Sequence, residues 1–381
     1  MVEPGGKQRS SGKKWLLGCG GGCLTTVVVL AVVAGLVIYY AMRAVPILPP
    51  ETFLVRNTDG FVVSRITKDD EAIIRELQKV LKRLPEITDM SEQARKNWRQ
   101  QQANAGEALA SAGPVQVVVL QQVTSDGESS GAMVISIRRL SGFFRWTINW
   151  SLDSLPAEGG SVEEYEGTTI GTSKDGTSVA ARGNNFIFSE NTDVIKHWID
   201  RIKKQRTAES KAEEKKAPAP SSQLTGELKK LYETLPQDVP VRFGFRNEDG
   251  QLRALISKSA TMESLKSLEE MGVLGEKVNA VGGELQTESG STGKVGLKLL
   301  CADVPSASEF EGRLENKKAE FEKNLKIEKL KVEREDARLN IEFLVPNMWS
   351  RLRRSLMPDS KEQEKQSEGA ETDKKKLEQA P

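Results

Sequence analysis

Covalent and metal chemistry in proteins rests on histidines, cysteines and paired carboxylates at set spacings. The 381 residues hold one histidine, His197, and three cysteines, Cys19, Cys23 and Cys301. One histidine cannot build a multi-His zinc site, and Cys301 stands alone outside an apolar N-terminal region, so Cys/His ligand sets are missing too. A Ser-His-Asp arrangement would have to use His197. That residue lies in TDVIKHWIDRIKK, where Val194, Ile195, Trp198, Ile199 and Ile202 share one helical face and His197 projects from the polar one. Cys301, in the strand-like LKLLCADV, reads as a buried small hydrophobe. No second cysteine is available to it for a disulfide outside the apolar region.

Gly290–Val295, GSTGKV, resembles a phosphate-binding loop in part, but Glu288 occupies the first glycine position and Val295 the hydroxyl position. Its flanks read as strands, so the stretch is expected to be a hairpin turn. Four Asp-Gly pairs, at 59–60, 126–127, 175–176 and 249–250, lack the alternating oxygen ligands of a calcium loop and read as turns. Glu163, Glu164 and Glu166 supply carboxylates without singling out an acid/base pair. Asn149-Trp150-Ser151 is a glycosylation sequon inside an expected strand. The expectation is no catalytic constellation, no cofactor and no metal. A net charge of +1 gives no basic field for nucleic acid.

The element that organises the rest is Leu24–Met42, nineteen residues without a charge. A bilayer core takes about 20 apolar helical residues, so this stretch is expected to span a membrane, with Trp15–Cys23 as a less apolar lead-in. Trp15, Tyr39 and Tyr40 fit the interfacial belts, Lys13 and Lys14 precede the span, and Arg43 closes it. The leader carries Lys7, Arg9, Lys13 and Lys14 against Glu3 alone, which puts the N-terminus in the cytoplasm and the bulk outside. The apolar run passes beyond Val32-Val33-Ala34, which favours an uncleaved anchor over a signal peptide. Gly18 and Gly22 read as passive small residues, with a homodimer through their GxxxG as the alternative.

With 29% charged and 38% hydrophobic residues, the remainder is expected to fold. The fold class expected is α+β: an N-terminal transmembrane helix followed by two domains of antiparallel sheet with helices packed on one face. The divisions are a leader at 1–14, the anchor at 15–43 and a Pro-rich spacer at 44–52. A first domain at 53–204 and a second at 223–357 flank a charged Ala/Pro linker at 205–222, into which AESKAEEKK could extend the preceding helix, and a disordered tail occupies 358–381. In the first domain, FLVRNTDGFVVSRI reads as a hairpin and Ile73, Ile74 and Leu77 as one face of a helix, while Phe144, Trp146, Ile148 and Trp150 alternate along a strand. VEEYEGTTIGTS pairs with TSVAARG through Asp175-Gly176, and a helix from Asp193, capped by Thr192, closes the domain. In the second, VPVRFGF and QLRALISKS, then KVNAVGGELQTES and GKVGLKLLCAD, then LKIEKLKVE and ARLNIEFLV, read as three hairpins. Trp349–Met357 reads as a terminal helix docked through Trp349, Leu352 and Leu356, with its arginines in solvent.

The Gly/Cys lead-in and anchor, the stretch YEGTTIGTSKDGTSVAARGNNFIFSENTDVIKHWIDR and VNAVGGELQTES…KVGLKLLCADVPSASEFEGRL are similar to segments of uncharacterised membrane-anchored exported bacterial proteins. The resemblance implies an α+β envelope protein and carries no activity. The expected function is a membrane-tethered binding or scaffold module of the bacterial envelope, in the inner membrane, with the lipid bilayer and a protein as partners. The alternatives are a sensory or ligand-binding ectodomain with an inter-domain groove and, after it, a carboxylate-dependent hydrolase.

Overall fold

The computed structural model describes residues 46–76, 79, 113–123, 129–138, 152, 155–174, 176–211, 222–247 and 277–356. The span Leu24–Met42, its flanks, Gly18, Gly22, residues 143–151 of the FFRWTINWSL stretch and the tail at 358–381 lie outside them. Among the described residues, no helix is long and apolar enough to cross a membrane.

The strands are β1 (Gly60–Ile66), β2 (Val115–Val123), β3 (Ser129–Ile137), β4 (Ser161–Tyr165), β5 (Thr168–Thr172), β6 (Ser178–Arg182), β7 (Asn185–Ser189), β8 (Val241–Arg246), β9 (Val278–Ser289), β10 (Thr292–Cys301), β11 (Glu328–Glu335) and β12 (Arg338–Val345). The helices are α1 (Thr192–Lys211), α2 (Gly226–Thr234), α3 (Val304–Asn316), α4 (Lys318–Leu325) and α5 (Met348–Leu356), and a further helical segment covers 71–76. The architecture is α+β. A single twelve-stranded sheet runs in the order β11-β12-β10-β9-β8-β1-β2-β3-β7-β6-β5-β4, and every neighbouring pair is antiparallel. The N-terminal and C-terminal strands meet at the β1–β8 pair, where Phe61 lies opposite Gly244 and Val63 opposite Arg242. The sheet is therefore continuous through both halves of the chain.

The helices lie on both faces, which corrects the expectation of one. On the front face, α1 and α2 pack in one cluster with Phe61, Val63, Val118, Leu120, Val134, Ile187, Ala280 and Leu300. On the back face, Val281, Leu299, Cys301, Leu339 and Ile341 pack against Phe310 and Leu314 of α3 and Phe321 of α4. Neighbouring residues of a strand point to opposite faces. Leu299 and Leu300 are both buried, so β10 needs a cover on each side.

Two local expectations also change. Phe53 and Leu54 are fully buried but do not form a strand with β1. Their carbonyls accept from the Trp198 indole N–H (2.8 Å) and from Arg201 (3.1 Å), both on α1, so this backbone is satisfied by a helix. Of the hairpin expected between VPVRFGF and QLRALISKS, the first strand is β8, whose two edges are taken by β1 and β9, and QLRALISKS lies outside the described residues. VEEYEGTTIGTS splits into β4 and β5 at Glu166-Gly167, both with left-handed φ (50° and 67°), the geometry of a tight hairpin turn. The Gly290-Ser291 turn joins β9 to β10, and GSTGKV is a hairpin.

Helix α1 continues to Lys211, into the region expected as linker, and its cap is Asn191, not Thr192: the Asn191 Oδ1 accepts from the Asp193 N–H at 2.9 Å. The stretch expected as a spacer is part of the body. Leu48 and Thr52 are buried, the Leu48 carbonyl accepts from Gln116 (3.0 Å), the Glu51 carbonyl from Arg201 (2.9 Å), and the Pro46 carbonyl from Arg206 (2.7 Å). Prolines 46, 49 and 50 offer no N–H, so this segment cannot join a ladder on both sides and its carbonyls turn to side-chain donors. The sheet's two edges are charged: β4 carries Glu163 and Glu164, and β11 carries Glu328, Lys329, Lys331, Glu333, Arg334 and Glu335, with a register shift between Glu328 and Lys331. Charges and irregularity at an edge discourage a further strand from adding.

Candidate functional site

A groove of about 470 Å³ opens on the back face between the 71–76 helical segment, the β9–β10 turn and α5. Its lining includes Asp69, Arg75 and Glu76 from the N-terminal half and Thr287, Ser291 and Trp349 from the C-terminal half. Trp349, which lines it, also belongs to a buried apolar cluster with Ile73, Val295 and Met348. The Trp349 indole N–H donates to the Thr287 hydroxyl at 3.0 Å, which holds the ring against the sheet. At one wall Arg353 Nε donates to the Glu76 carboxylate (2.9 Å), as do the Ser350 hydroxyl (3.2 Å) and Lys79.

This geometry rotates α5 relative to its sequence pattern. Trp349 and Arg353, four residues apart, face the body, while Leu352 is 41% exposed. Arg351 is also engaged, donating to the Leu325 (2.9 Å) and Lys326 (3.1 Å) carbonyls at the end of α4. These acceptors are among the orphan carbonyls of a helix C-terminus, where a cation is favourable.

Burial would raise the Glu76 carboxyl, but the hydrogen bonds from Lys79, Arg353 and Ser350 outweigh it and hold it below its ordinary 4.5. Glu76 is thus a fixed carboxylate at neutral pH, suited to orienting groups and not to donating a proton. Its stabilisation is present above the ordinary value and is lost as pH falls through the lower folded value. Arg353→Ala should cost about 1–2 kcal/mol at pH 7. In urea unfolding followed by circular dichroism, the difference from the parent should shrink as pH drops below that range; a difference independent of pH would contradict the assignment.

On the front face, a second polar arrangement lies beneath α2. Arg242 is 3% exposed and donates to the Tyr232 hydroxyl at 2.7 Å and to the Gln237 side-chain amide oxygen. Tyr232 in turn donates to the Glu51 carboxylate. The guanidinium stacks 4.6 Å from the Tyr232 ring centre. Burial, with Glu51 accepting the proton, pushes the Tyr232 phenol up against the opposing Arg242 charge, so it stays protonated as a donor. Directly across from Arg242 on β9 is Glu284, 6% exposed, with its carboxyl pushed up by burial. Gly296 on β10 makes room for it: a Cβ there would sit 2.3 Å from the Glu284 Oε1.

The groove and this buried row are on opposite faces, so the raised carboxyl of Glu284 and the fixed carboxylate of Glu76 do not form an acid/base pair. His197 is exposed and lines a separate cleft of about 300 Å³ with Arg56, Asn57, Gln122, Asn191 and Gln223. The Cys301 thiol is buried and pushed up to about 11 by burial and Asp303, far from a reactive thiolate. Among the described residues, no group of three His, Cys, Asp or Glu side chains is gathered for a metal ion. The membrane-contact residues expected from sequence, Lys13, Lys14, Trp15, Leu24, Tyr39, Tyr40, Met42 and Arg43, lie outside the described residues.

The sequence pattern missed the groove because its two walls come from segments more than two hundred residues apart. A local signal existed only for Trp349, an aromatic next to a basic run. No family model, no curated protein and no solved structure matches the chain.

Proposed function

We propose that the protein is a single-pass, membrane-anchored module of the bacterial cell envelope, with its N-terminus in the cytoplasm and its folded body outside, where it binds a protein partner. The observation that carries this reading is the uncharged Leu24–Met42 stretch, with its basic leader, ending four positions before Pro46. The attachment of Pro46 to α1 through Arg206 supports a body tethered closely to that anchor. Alkaline carbonate washing of membranes tests it. The full chain should stay in the pellet, and a variant lacking residues 1–45 should move to the supernatant. Release of the full chain by carbonate would overturn the anchor.

A second reading, a ligand-binding ectodomain, is favoured by the groove lined from both halves of the chain. Its volume is within the range of small-molecule sites, about 300–1,000 Å³, and its lining mixes Asp69, Glu76 and Arg75 with the Trp349 ring. A ligand held there would carry both a cationic and an anionic group and would stack on or beside Trp349. Titration with zwitterionic small molecules should change the tryptophan emission of the full chain, and Trp349→Phe should abolish that change. A response that survives the substitution would place the ligand elsewhere.

A further inference from the structure

Resting on the reading of Leu24–Met42 as a membrane span, we infer that one end of the sheet is itself a contact surface for the phosphate layer of an anionic bilayer. The tether dictates it. Residues 43–45 are all that separates Met42 from Pro46, and four extended steps reach roughly 14 Å at most. Pro46 has no freedom to stand off, because its carbonyl is held by Arg206 at 2.7 Å and Leu48 is fully buried two residues later. Whatever surrounds Pro46 must therefore lie against the headgroups.

The fold specifies what surrounds it. Arg206 also donates to Asn184 (3.1 Å) in the β6–β7 turn, and the Asn184 carbonyl accepts from the Ile137 N–H at the end of β3 (3.0 Å). The start of β2, the end of β1 and the start of β8 share this end through their registers. The opposite end carries the β5–β6 turn with Lys174 and the start of α1.

Two sets of residues fit this end to lipid. On the front face, Arg138 and Lys204 are exposed beside the point where the chain enters, and Lys203 next to them is paired with the Glu166 carboxylate at 2.5 Å. On the back face, α5 begins at the β9–β10 turn, with the Met348 N–H donating to the Ser291 carbonyl (3.1 Å), and presents exposed Leu352 and Arg354. Leu352 is one of two large apolar side chains that stand out as exposed among the described residues. Basic residues within about 8–10 Å of an anionic surface are attracted with little screening, and an apolar side chain among them can enter the interface.

The test uses the full chain with Cys19, Cys23 and Cys301 replaced by Ser, reconstituted into phosphatidylcholine vesicles with and without phosphatidylglycerol. A fluorophore is attached at Lys204→Cys, Arg354→Cys, Lys174→Cys or Leu36→Cys, and lipids bear a nitroxide on the headgroup or on the acyl chain. The expected result is headgroup quenching several-fold greater at 204 and 354 than at 174, stronger with phosphatidylglycerol, and acyl-chain quenching at 36. Equal quenching at 174 and 204 with position 36 still in the acyl region would overturn the contact surface and leave the anchor standing. Absence of acyl-chain quenching at 36 would overturn the anchor, and the contact surface with it.

Discussion

Replacing Arg242 with Met should destabilise the full chain by about 3–5 kcal/mol, the usual cost of breaking a buried charged network from one side. Arg242 supports three partners at once. Without it, the Tyr232 hydroxyl and the Gln237 amide lose a donor, and the Glu51 carboxylate keeps its negative charge with the guanidinium 3.8 Å away removed. Methionine keeps most of the aliphatic volume, so the loss reports the polar network and not a cavity. Tyr232→Phe should cost less, about 1–2 kcal/mol, because Arg242 and Glu51 retain each other's charge. The double variant should cost clearly less than the two single losses added, as expected of residues in one network. Urea unfolding in detergent, followed by circular dichroism, measures all three. A loss under about 1 kcal/mol for Arg242→Met would mean that α2 and the 46–55 segment are held by apolar packing alone.

Gly282→Val should be comparably damaging, at about 3 kcal/mol or more, through overpacking. Gly282 and Gly244 are register partners on β9 and β8, and together they leave a hollow in the front face. Leu231 of α2 fills it. A Cβ on Gly282 would sit 2.6 Å from the Leu231 Cδ2 and 2.7 Å from the Phe243 carbonyl oxygen, so one neighbour is a backbone that cannot swing aside. The substitution has to lift α2 from the sheet or break the β8–β9 pairing. Leu231→Ala in the same chain separates these outcomes. If the helix contact is the obstacle, the second substitution should restore part of the loss. If the backbone contact dominates, it should add to it. A neutral Gly282→Val would contradict the close approach of α2.

Parts of this architecture are plain in the sequence. Leu339, Ile341, Phe343 and Val345 alternate, and β12 follows that alternation, with Leu339 and Ile341 buried. The apolar face of α1 is the one read from spacing: Ile195, Trp198, Ile199 and Ile202 are all buried. The misreadings have a common cause. Phe53 and Leu54 look like strand residues before an Asp-Gly turn, but their backbone partners are Trp198 and Arg201, about 145 residues away. Long-range partners leave no local periodicity. The same holds for Arg353, whose inward orientation depends on Glu76, and for the β1–β8 seam. The pair Gly282-Gly283 was a usable signal, since glycine inside a strand marks close backbone approach. Of the groove, only Trp349 left a local signal, a Trp next to arginines.

The central claim is that the body lies outside a membrane on a short N-in anchor, and labelling in intact cells tests it most directly. In a chain whose Cys19, Cys23 and Cys301 are Ser, single cysteines replace Ser10 in the leader and Lys174 in the exposed β5–β6 turn. A maleimide that cannot cross the inner membrane should label position 174 in intact cells and position 10 only after the inner membrane is broken. Labelling of position 10 alone in intact cells, or of neither until lysis, would contradict the account.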